Sequence, residues 1–360
     1  MKKNLYLFSD SLLKRKDCTL SVERICRDES EENNYEQEDK LLNEEYLLGE
    51  DVLLPAGDKK YIPVESIESI FGFGTLCFNS RLLYFLSLNQ IPMHIFNFNG
   101  NYSGSFLPET ESTSGTTVIK QVTFFKHPLK RMEIAKEFVN GAISNALVNL
   151  RYYCNRGSQV KDQIQQLEEI NGYVPRADSV DELMGFEGTA KKIYYSAWKY
   201  IFSYPVEFDK RVKNPPDNLI NALISYGNMI VYSICLNEIY HTRLYPEISY
   251  LHQPGENRKS LAFDIAEIFK PIITDRVIFK VINKNIIAEK DAIQKNRRCF
   301  LNKKAKQEYV SHLEEKLMTK IQVDGKEVRY SYRRLIREEC YKLLKHLNEE
   351  EKYKAYITKW

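Results

Sequence analysis

One acidic residue lies where the helical pattern of this sequence predicts a buried face. Glu187 is part of Leu-Met-Gly-Phe-Glu-Gly-Thr-Ala (183–190), and the segment 179–202 has the periodicity of a helix. The apolar residues that share one face of this helix are Leu183, Ala190, Tyr194, Trp198 and Ile201. Glu187 follows Leu183 by four positions and falls on that face. Its carboxylate must therefore meet a cation, a strong donor or a proton, because an unpaired buried charge is very costly.

A second group of residues that could do chemistry lies downstream. His252 precedes a Pro-Gly pair, which places it on a loop that leads into a predicted helix at 257–270. Asp264 and Glu267 are three residues apart, so they share one side of that helix, away from its apolar face. Pro271 cannot donate a hydrogen bond to the carbonyl of Glu267, and we expect the helix to kink beside the carboxylates.

One histidine and two or three carboxylates, with no cysteine, are the donors that a hard divalent cation prefers. Oxygen donors favour magnesium or manganese, and a single imidazole shifts the preference toward manganese. Such an ion can polarise a phosphodiester. The basic residues nearby in the sequence could bind phosphate without regard to base sequence, and they are Lys191, Lys192, Arg258, Lys259, Lys270, Arg276 and Lys280.

Each of these residues also has an interpretation without chemistry. Acids on a polar helix face are commonly solvated, a lone loop histidine commonly has no role, and Glu187 could form a salt bridge with a Lys or Arg of a neighbouring helix. Gly188 costs about 1 kcal/mol relative to Ala inside a helix, which predicts that some group approaches it closely. Two classes therefore stay open: a metal-dependent enzyme, and a non-catalytic nucleic-acid-binding scaffold protein whose acids form salt bridges.

The elements that must position these residues fall into two predicted domains. Residues 1–108 form a β-rich domain, 109–117 form a polar linker of small residues, and 118–360 form a helical domain. In the first domain we predict strands at 4–9, 19–24 and 61–73, a helix at 80–90, and a hairpin of 92–98 and 102–107 around Asn99-Gly100. In the second we predict helices from Pro128 to about 150 and at 159–170, 179–202, 216–243, 257–270, 302–320 and 326–356. The fold class is α+β, with a larger all-α domain that carries the active site.

Composition and charge fit a folded intracellular protein. Hydrophobic residues make up 43% of the chain and charged residues 28%. Residues 1–110 hold 11 Lys and Arg against 18 Asp and Glu, and the rest hold 41 against 31, so the C-terminal part suits a polyanionic partner. Seven cysteines without a C-x-x-C motif indicate neither a zinc site nor a disulfide framework. Uninterrupted apolar stretches such as 82–88 are too short to span a membrane. The acidic segment 27–51 is expected to be a solvated loop.

The two motifs taken together resemble the CRISPR-associated integrase family. The first is Gly-Phe-Glu-Gly-x-Ala, followed by Tyr194, and the second is Leu-His followed by Ser-Leu-Ala-x-Asp-Ile-x-Glu-x-Phe-Lys-Pro-x-x-Thr-Asp (260–275). The resemblance also covers the order of a small β-domain, a linker and a larger helical domain. It implies the catalytic subunit of the complex that captures new spacers in a prokaryotic cytoplasm.

The resemblance implies a site and a set of partners. Glu187, His252 and Glu267 match the family's ligands for Mn²⁺ or Mg²⁺, and Asp264 matches the earlier acid as a catalytic residue. Tyr226, Arg258 and Lys270 are the expected DNA contacts. The implied activity is metal-dependent DNA cleavage and strand transfer, in which a 3′-hydroxyl of a short duplex attacks a phosphodiester of the CRISPR array. The implied partners are double-stranded and branched DNA, a second copy of the chain paired through the β-domain, and a small second CRISPR-associated subunit.

Overall fold

The computed structural model describes residues 2–25, 55–97, 100, 102–109, 114–213, 215–255, 259–323 and 328–359. The chain divides into two compact units, Met1–Thr110 and Glu111–Trp360. This division falls inside the predicted linker 109–117. Residues 110–113 of the linker lie outside the described residues, as do Arg258 and the whole acidic segment 27–51. Residues 115–117 are helical, so the last part of the predicted linker belongs to a helix instead.

The described residues of the first unit form two four-stranded sheets and a helix. Its strands are β1 (Lys3–Leu7), β2 (Ser11–Lys16), β3 (Thr19–Ile25), β4 (Pro55–Pro63), β5 (Ile67–Gly72), β6 (Leu76–Cys77), β7 (Met93–Phe96) and β8 (Tyr102–Phe106), and its helix is α1 (Ser80–Leu88). One sheet has the order β1-β5-β7-β8, and the other has the order β4-β3-β2-β6. Apolar side chains from both sheets and α1, among them Leu13, Ile70 and Leu82, form one core.

The strand predictions hold in outline and differ in several places; the short strand β6 and the first part of β4, for example, were not predicted. The hairpin is present as the antiparallel pair β7–β8, and Gly100 takes a left-handed φ of 83° at its turn. The run 61–73 is divided by a 3₁₀ turn at Val64–Ser66, because β4 pairs in one sheet and β5 in the other. Strand β2 was not predicted, since its sequence Ser-Leu-Leu-Lys-Arg-Lys ends in three cations and lacks the alternation of a half-buried strand.

The second unit is mostly helical. Its helices are α2 (Gly115–Lys126), α3 (Pro128–Cys154), α4 (Lys161–Tyr173), α5 (Val180–Ser196), α6 (Leu219–Tyr240), α7 (Ser260–Phe269), α8 (Arg276–Asn283), α9 (Lys303–Met318) and α10 (Tyr332–Leu347). Two small hairpins also occur, β9 (Ala292–Lys295) with β10 (Arg298–Leu301) and β11 (Lys320–Ile321) with β12 (Tyr330–Ser331). The α+β prediction is confirmed, with these hairpins as an addition to the predicted all-α domain.

Helix α6 lies in the interior of the second unit. It is the one helix of the described residues that is long and apolar enough to cross a membrane, and 83% of its most apolar window is buried inside the protein. The sequence predicts this helix at 216–243 but not its length as an apolar segment, because Asn221, Ser225 and Asn228 interrupt the apolar run. Packing in the core accounts for its hydropathy.

The predicted kink at Pro271 is a change of helix type. Helix α7 ends at Phe269, a π-helical turn covers Pro271–Asp275, and α8 continues from Arg276. Two buried asparagines of α3 donate to carbonyls at this junction: Asn145 donates to Ile268 O at 2.9 Å, and Asn149 donates to Pro271 O at 2.5 Å. The acids of α7 therefore sit on a helix whose end is fixed by side chains of α3.

Candidate metal and nucleic-acid site

Glu187 and Glu267 converge on the ammonium group of Lys191. Glu187 belongs to α5, and Lys191 lies one turn later in the same helix. The Lys191 Nζ atom pairs with Glu187 and lies 2.9 Å from Oε2 of Glu267, which belongs to α7. The fold thus brings two predicted ligands together although they are far apart in the sequence. The cation that pairs with the buried carboxylate of Glu187 lies on the same helix, four residues later, and not on a neighbouring helix.

Both carboxylates of this pair are buried, with 9% of the Glu187 side chain and 5% of the Glu267 side chain exposed. Burial acts to raise the pKa of Glu267, but the charges and hydrogen bonds of Lys191 and Lys270 outweigh it and lower the pKa far below its ordinary value. Burial likewise acts to lower the pKa of Lys191, and the charges of Glu267 and Glu187 raise it instead. Lys191 and Glu267 therefore remain ionised at neutral pH. The expectation that the acids of α7 are solvated is wrong.

Lys270 belongs to the same ion-paired cluster as Glu187, Lys191 and Glu267. Its Nζ donates to Oε1 of Glu267 at 2.7 Å, and 17% of its side chain is exposed. We predicted Lys270 as a contact to DNA phosphate, but in this structure its ammonium neutralises a buried carboxylate. The pair forms because Glu267 and Lys270 are three apart on α7 and share one side of the helix. A contact of Lys270 with DNA stays a prediction.

Asp264 positions His252 and does not face the shared cation. Its two oxygens accept the backbone N–H groups of Tyr250, Leu251 and His252 at 2.7, 3.0 and 3.0 Å, and its Oδ1 lies 2.8 Å from His252 Nδ1. The side chain of Asp264 is 0% exposed. With all of its lone pairs engaged, Asp264 has the contacts of a positioning residue that fixes the loop and the imidazole ring. Its role as a catalytic residue stays a prediction.

The hydrogen bond from Nδ1 defines what His252 can do. When Asp264 accepts the Nδ1 proton, the Nε2 lone pair remains available to a metal ion, an arrangement that is common for metal-bound histidine. Burial acts to lower the pKa of His252, but the hydrogen bond and charge of Asp264, with a contribution from Glu267, raise it overall. The influence of Glu267 places the imidazole in the same electrostatic neighbourhood as the paired carboxylates.

The described residues contain no group of three His, Cys, Asp or Glu side chains close enough to hold a metal ion together. The expected geometry, in which Glu187, His252 and Glu267 share one ion, is therefore not formed in the structure. Glu187 and Glu267 both contact Lys191, and His252 is hydrogen-bonded to Asp264 instead. The donor set nevertheless fits a divalent ion, because two buried carboxylates from different helices already surround one cationic centre. The role of these residues as metal ligands remains a prediction.

Two further features of this region are not predicted by the sequence, and they concern Gly188 and Lys213. A Cβ atom added at Gly188 would meet nothing within 4 Å, so the expected close approach is absent and the surface of α5 is open beside Glu187. Lys213, on the segment between α5 and α6, keeps part of its surface exposed. The protein around its ammonium group removes some of the water there, and this partial burial together with the charges of Lys191 and Lys270 lowers its pKa. No periodic pattern surrounds Lys213, so no feature of the sequence predicts its place near the carboxylates.

The predicted DNA contacts receive little support. Tyr226 is only 5% exposed, and its ring packs edge-on against Tyr309 with 5.8 Å between the centroids. Its place on the core helix α6 explains why it does not present its ring at the surface. Arg258 lies outside the described residues. Lys270 is paired with Glu267, and Lys213 is an exposed cation of the described residues whose charge interacts with Glu187 and Glu267.

Comparisons with known proteins give the class. A family model for the CRISPR associated protein Cas1 matches residues 44–315. The CRISPR-associated endonuclease Cas1 of Fusobacterium nucleatum is 39% identical over 360 residues, which covers 100% of this chain and 98% of that protein. The CRISPR-associated endonuclease Cas1 2 of Thermodesulfovibrio yellowstonii is 41% identical over 361 residues and is covered in full, as is this chain.

Solved structures agree with the sequence comparison. A CAS1 protein from Thermotoga maritima has a TM-score of 0.79 and 34% identity, with 98% of this chain and 99% of that chain covered. A casposase bound to its integration product has a TM-score of 0.78, with 98% of this chain and 92% of that chain covered; at 18% identity it shares the fold. The chain belongs to the Cas1 family of CRISPR-associated proteins, which confirms the resemblance of the two motifs.

Proposed function

We propose that this protein is a metal-dependent DNA endonuclease and integrase of CRISPR adaptation. It inserts short DNA duplexes into a CRISPR array when a 3′-hydroxyl attacks a phosphodiester. One observation carries the proposal: Glu187 of α5 and Glu267 of α7 are buried together around a single cationic centre. Carboxylates from separate helices that converge in this way are the protein part of an Mg²⁺ or Mn²⁺ site.

Each residue has a distinct part in this proposal. Glu187 and Glu267 hold the ion, His252 offers Nε2, and Asp264 fixes the imidazole through Nδ1. A divalent ion, when bound, offsets the charge on the phosphoryl oxygens and on the leaving oxygen. The excess of basic residues in 111–360 supplies attraction to the DNA backbone that does not depend on base sequence.

The proposed partners are DNA, a second copy of the chain and a small second CRISPR-associated subunit. The same fold occurs in a casposase bound to its integration product and in a Cas6-RT-Cas1–Cas2 complex, both at 18% identity. These relatives support DNA and a Cas2-like subunit as partners. Pairing of two copies through the β-rich unit is an expectation from the family resemblance.

The alternative is a non-catalytic nucleic-acid-binding scaffold, and one observation favours it. Both carboxylates are ion-paired with lysines, Glu187 with Lys191 and Glu267 with Lys191 and Lys270, as a purely structural cluster would be. A scaffold of this kind binds DNA but cleaves none, with or without metal.

The test is cleavage and strand transfer on branched DNA with Mn²⁺ supplied. We expect Glu187→Gln and His252→Ala to lose both reactions while circular dichroism shows a folded protein. Asp181→Asn removes an exposed acid of the same helix and should retain activity. Wild-type cleavage that persists in excess chelator, or a Glu187→Gln variant with full activity, would remove the metal mechanism. Absence of any cleavage by a wild-type protein that binds DNA would favour the scaffold.

A further inference from the structure

Lys191 occupies the position that a metal ion must take. Its ammonium contacts a carboxylate oxygen of Glu187 and one of Glu267, so it bridges α5 and α7. These are the oxygens that a divalent ion would need for its own coordination. A divalent ion on these same two oxygens would lie against the Lys191 ammonium, and the two cations would repel each other.

We propose that Lys191 is the resident counter-ion of the metal site, and that a divalent ion binds by displacing the Lys191 ammonium from Glu187 and Glu267. This inference rests on the proposed function, since it concerns the same carboxylates. In the metal-free protein Lys191 keeps two buried acids paired. Metal binding is then an exchange of cations, and its affinity is weakened by the strength of the lysine contacts.

The surroundings of Lys191 permit this exchange. Its side chain is 32% exposed, compared with 17% for Lys270, so it has more access to solvent than the other lysine of the cluster. Gly188 lies three residues earlier on the same side of α5, and nothing stands within 4 Å of the place where its Cβ would be. The released ammonium therefore has open space beside the site.

The exchange also changes the charge that the site presents. Glu187, Glu267, Lys191 and Lys270 together carry no net charge. When a divalent ion replaces Lys191, the two acids, the ion and Lys270 carry one positive charge, and the displaced ammonium adds another at the rim. A phosphodiester is attracted to the loaded site and not to the empty one.

The proposal is tested by Mn²⁺ binding to the DNA-free protein, measured from the electron paramagnetic resonance of free Mn²⁺. Lys191→Met removes the competing cation, and we expect Mn²⁺ to bind about tenfold more tightly than to the wild type. Lys192→Met, the exposed neighbour, should leave the affinity unchanged. Unchanged or weaker binding in Lys191→Met would overturn the proposal. If Glu187→Gln also binds Mn²⁺ like the wild type, the metal site itself is wrong, and the two failures are thereby distinguished.

A second measurement uses the wild type and does not depend on how a variant folds. Lysine acylation is followed by mass spectrometry with and without Mn²⁺, and Lys192 serves as the internal reference. Displacement from the carboxylates frees the Lys191 amine, so its acylation relative to Lys192 should rise several-fold on addition of Mn²⁺. Protection that is unchanged or increased by Mn²⁺ at saturating concentration would show that Lys191 does not leave.

Discussion

Asp264→Asn separates a positioning residue from a metal ligand. The carboxylate accepts four hydrogen bonds, three from backbone N–H groups and one from the imidazole of His252. Asparagine has one oxygen where aspartate has two. Whichever way the amide is turned, its NH₂ group faces donors that the second oxygen accepted, and about half of the hydrogen bonds are lost in a fully buried position.

The size of the effect follows from those contacts. A hydrogen bond to a charged group contributes about 1.5–3 kcal/mol, and an unsatisfied buried donor costs about 1–3 kcal/mol. Two lost contacts with partial relaxation give a destabilisation of about 3–5 kcal/mol. Loss of an outer-shell partner of histidine also weakens metal affinity by about 10–100-fold. Both effects should occur, because one carboxylate supports both the loop and the ring.

Urea denaturation followed by circular dichroism measures the first effect, and Mn²⁺ titration measures the second. Asp209→Asn removes an exposed loop carboxylate and should change the free energy of unfolding by less than about 0.5 kcal/mol. If Asp264→Asn is as stable as the wild type but no longer binds Mn²⁺, Asp264 is a ligand and its assignment as a positioning residue is wrong.

Two further predictions concern buried groups around the site. Gly227→Ala would place a Cβ atom of α6 against the hydroxyl of Tyr309 and within 2.7 Å of Thr274 Cγ2, so we expect chemical denaturation to show a loss of about 2–3 kcal/mol in the free energy of unfolding. At the control position Gly185 nothing lies within 4 Å of the added Cβ, so Gly185→Ala should stabilise the protein by up to about 1 kcal/mol. Equal effects of the two substitutions would contradict this packing. Burial raises the pKa of Asp275 to about 8, against a hydrogen bond from Tyr194 that lowers it. The folded protein therefore holds this proton up to about pH 8, whereas the unfolded chain releases it near pH 4, so the stability it contributes is lost as pH rises through that window. The unfolding free energy of the wild type minus that of Asp275→Asn should fall by more than about 1 kcal/mol between pH 4 and pH 8, and a flat difference would show that Asp275 is ionised throughout.

The residues of the site could be selected from the sequence, but their pairing could not. The helical period placed Glu187 on a buried face, and its need for a cation is confirmed. The sequence also contains the signal for its partner, Lys191, because side chains four residues apart on a helix contact each other. The convergence of Glu187 with Glu267 depends on how α5 packs relative to α7, and no local pattern contains that information.

Asp264 shows the opposite limit. Its position on α7 suggested a polar face, yet it is buried because the loop 250–252 folds over it and supplies three N–H donors. The buried asparagines of α3 are a similar case. They lie among apolar residues of one helix face, and their acceptors are known only from the fold: the carbonyl of Ile268 at the end of α7 and that of Pro271 in the π turn. Local periodicity predicts where helices and strands occur, but polar contacts between two elements can be identified only when the packing of those elements is known.

An anomalous-difference map from manganese-soaked crystals tests most directly whether this protein holds a catalytic ion between α5 and α7. The proposed site predicts a peak in contact with Glu187 and Glu267, with the His252 imidazole turned toward it and the Lys191 ammonium withdrawn from both carboxylates. A map without a peak there, in which Lys191 still bridges Glu187 and Glu267 at saturating manganese, would contradict the metal site and leave the ion pairs as purely structural.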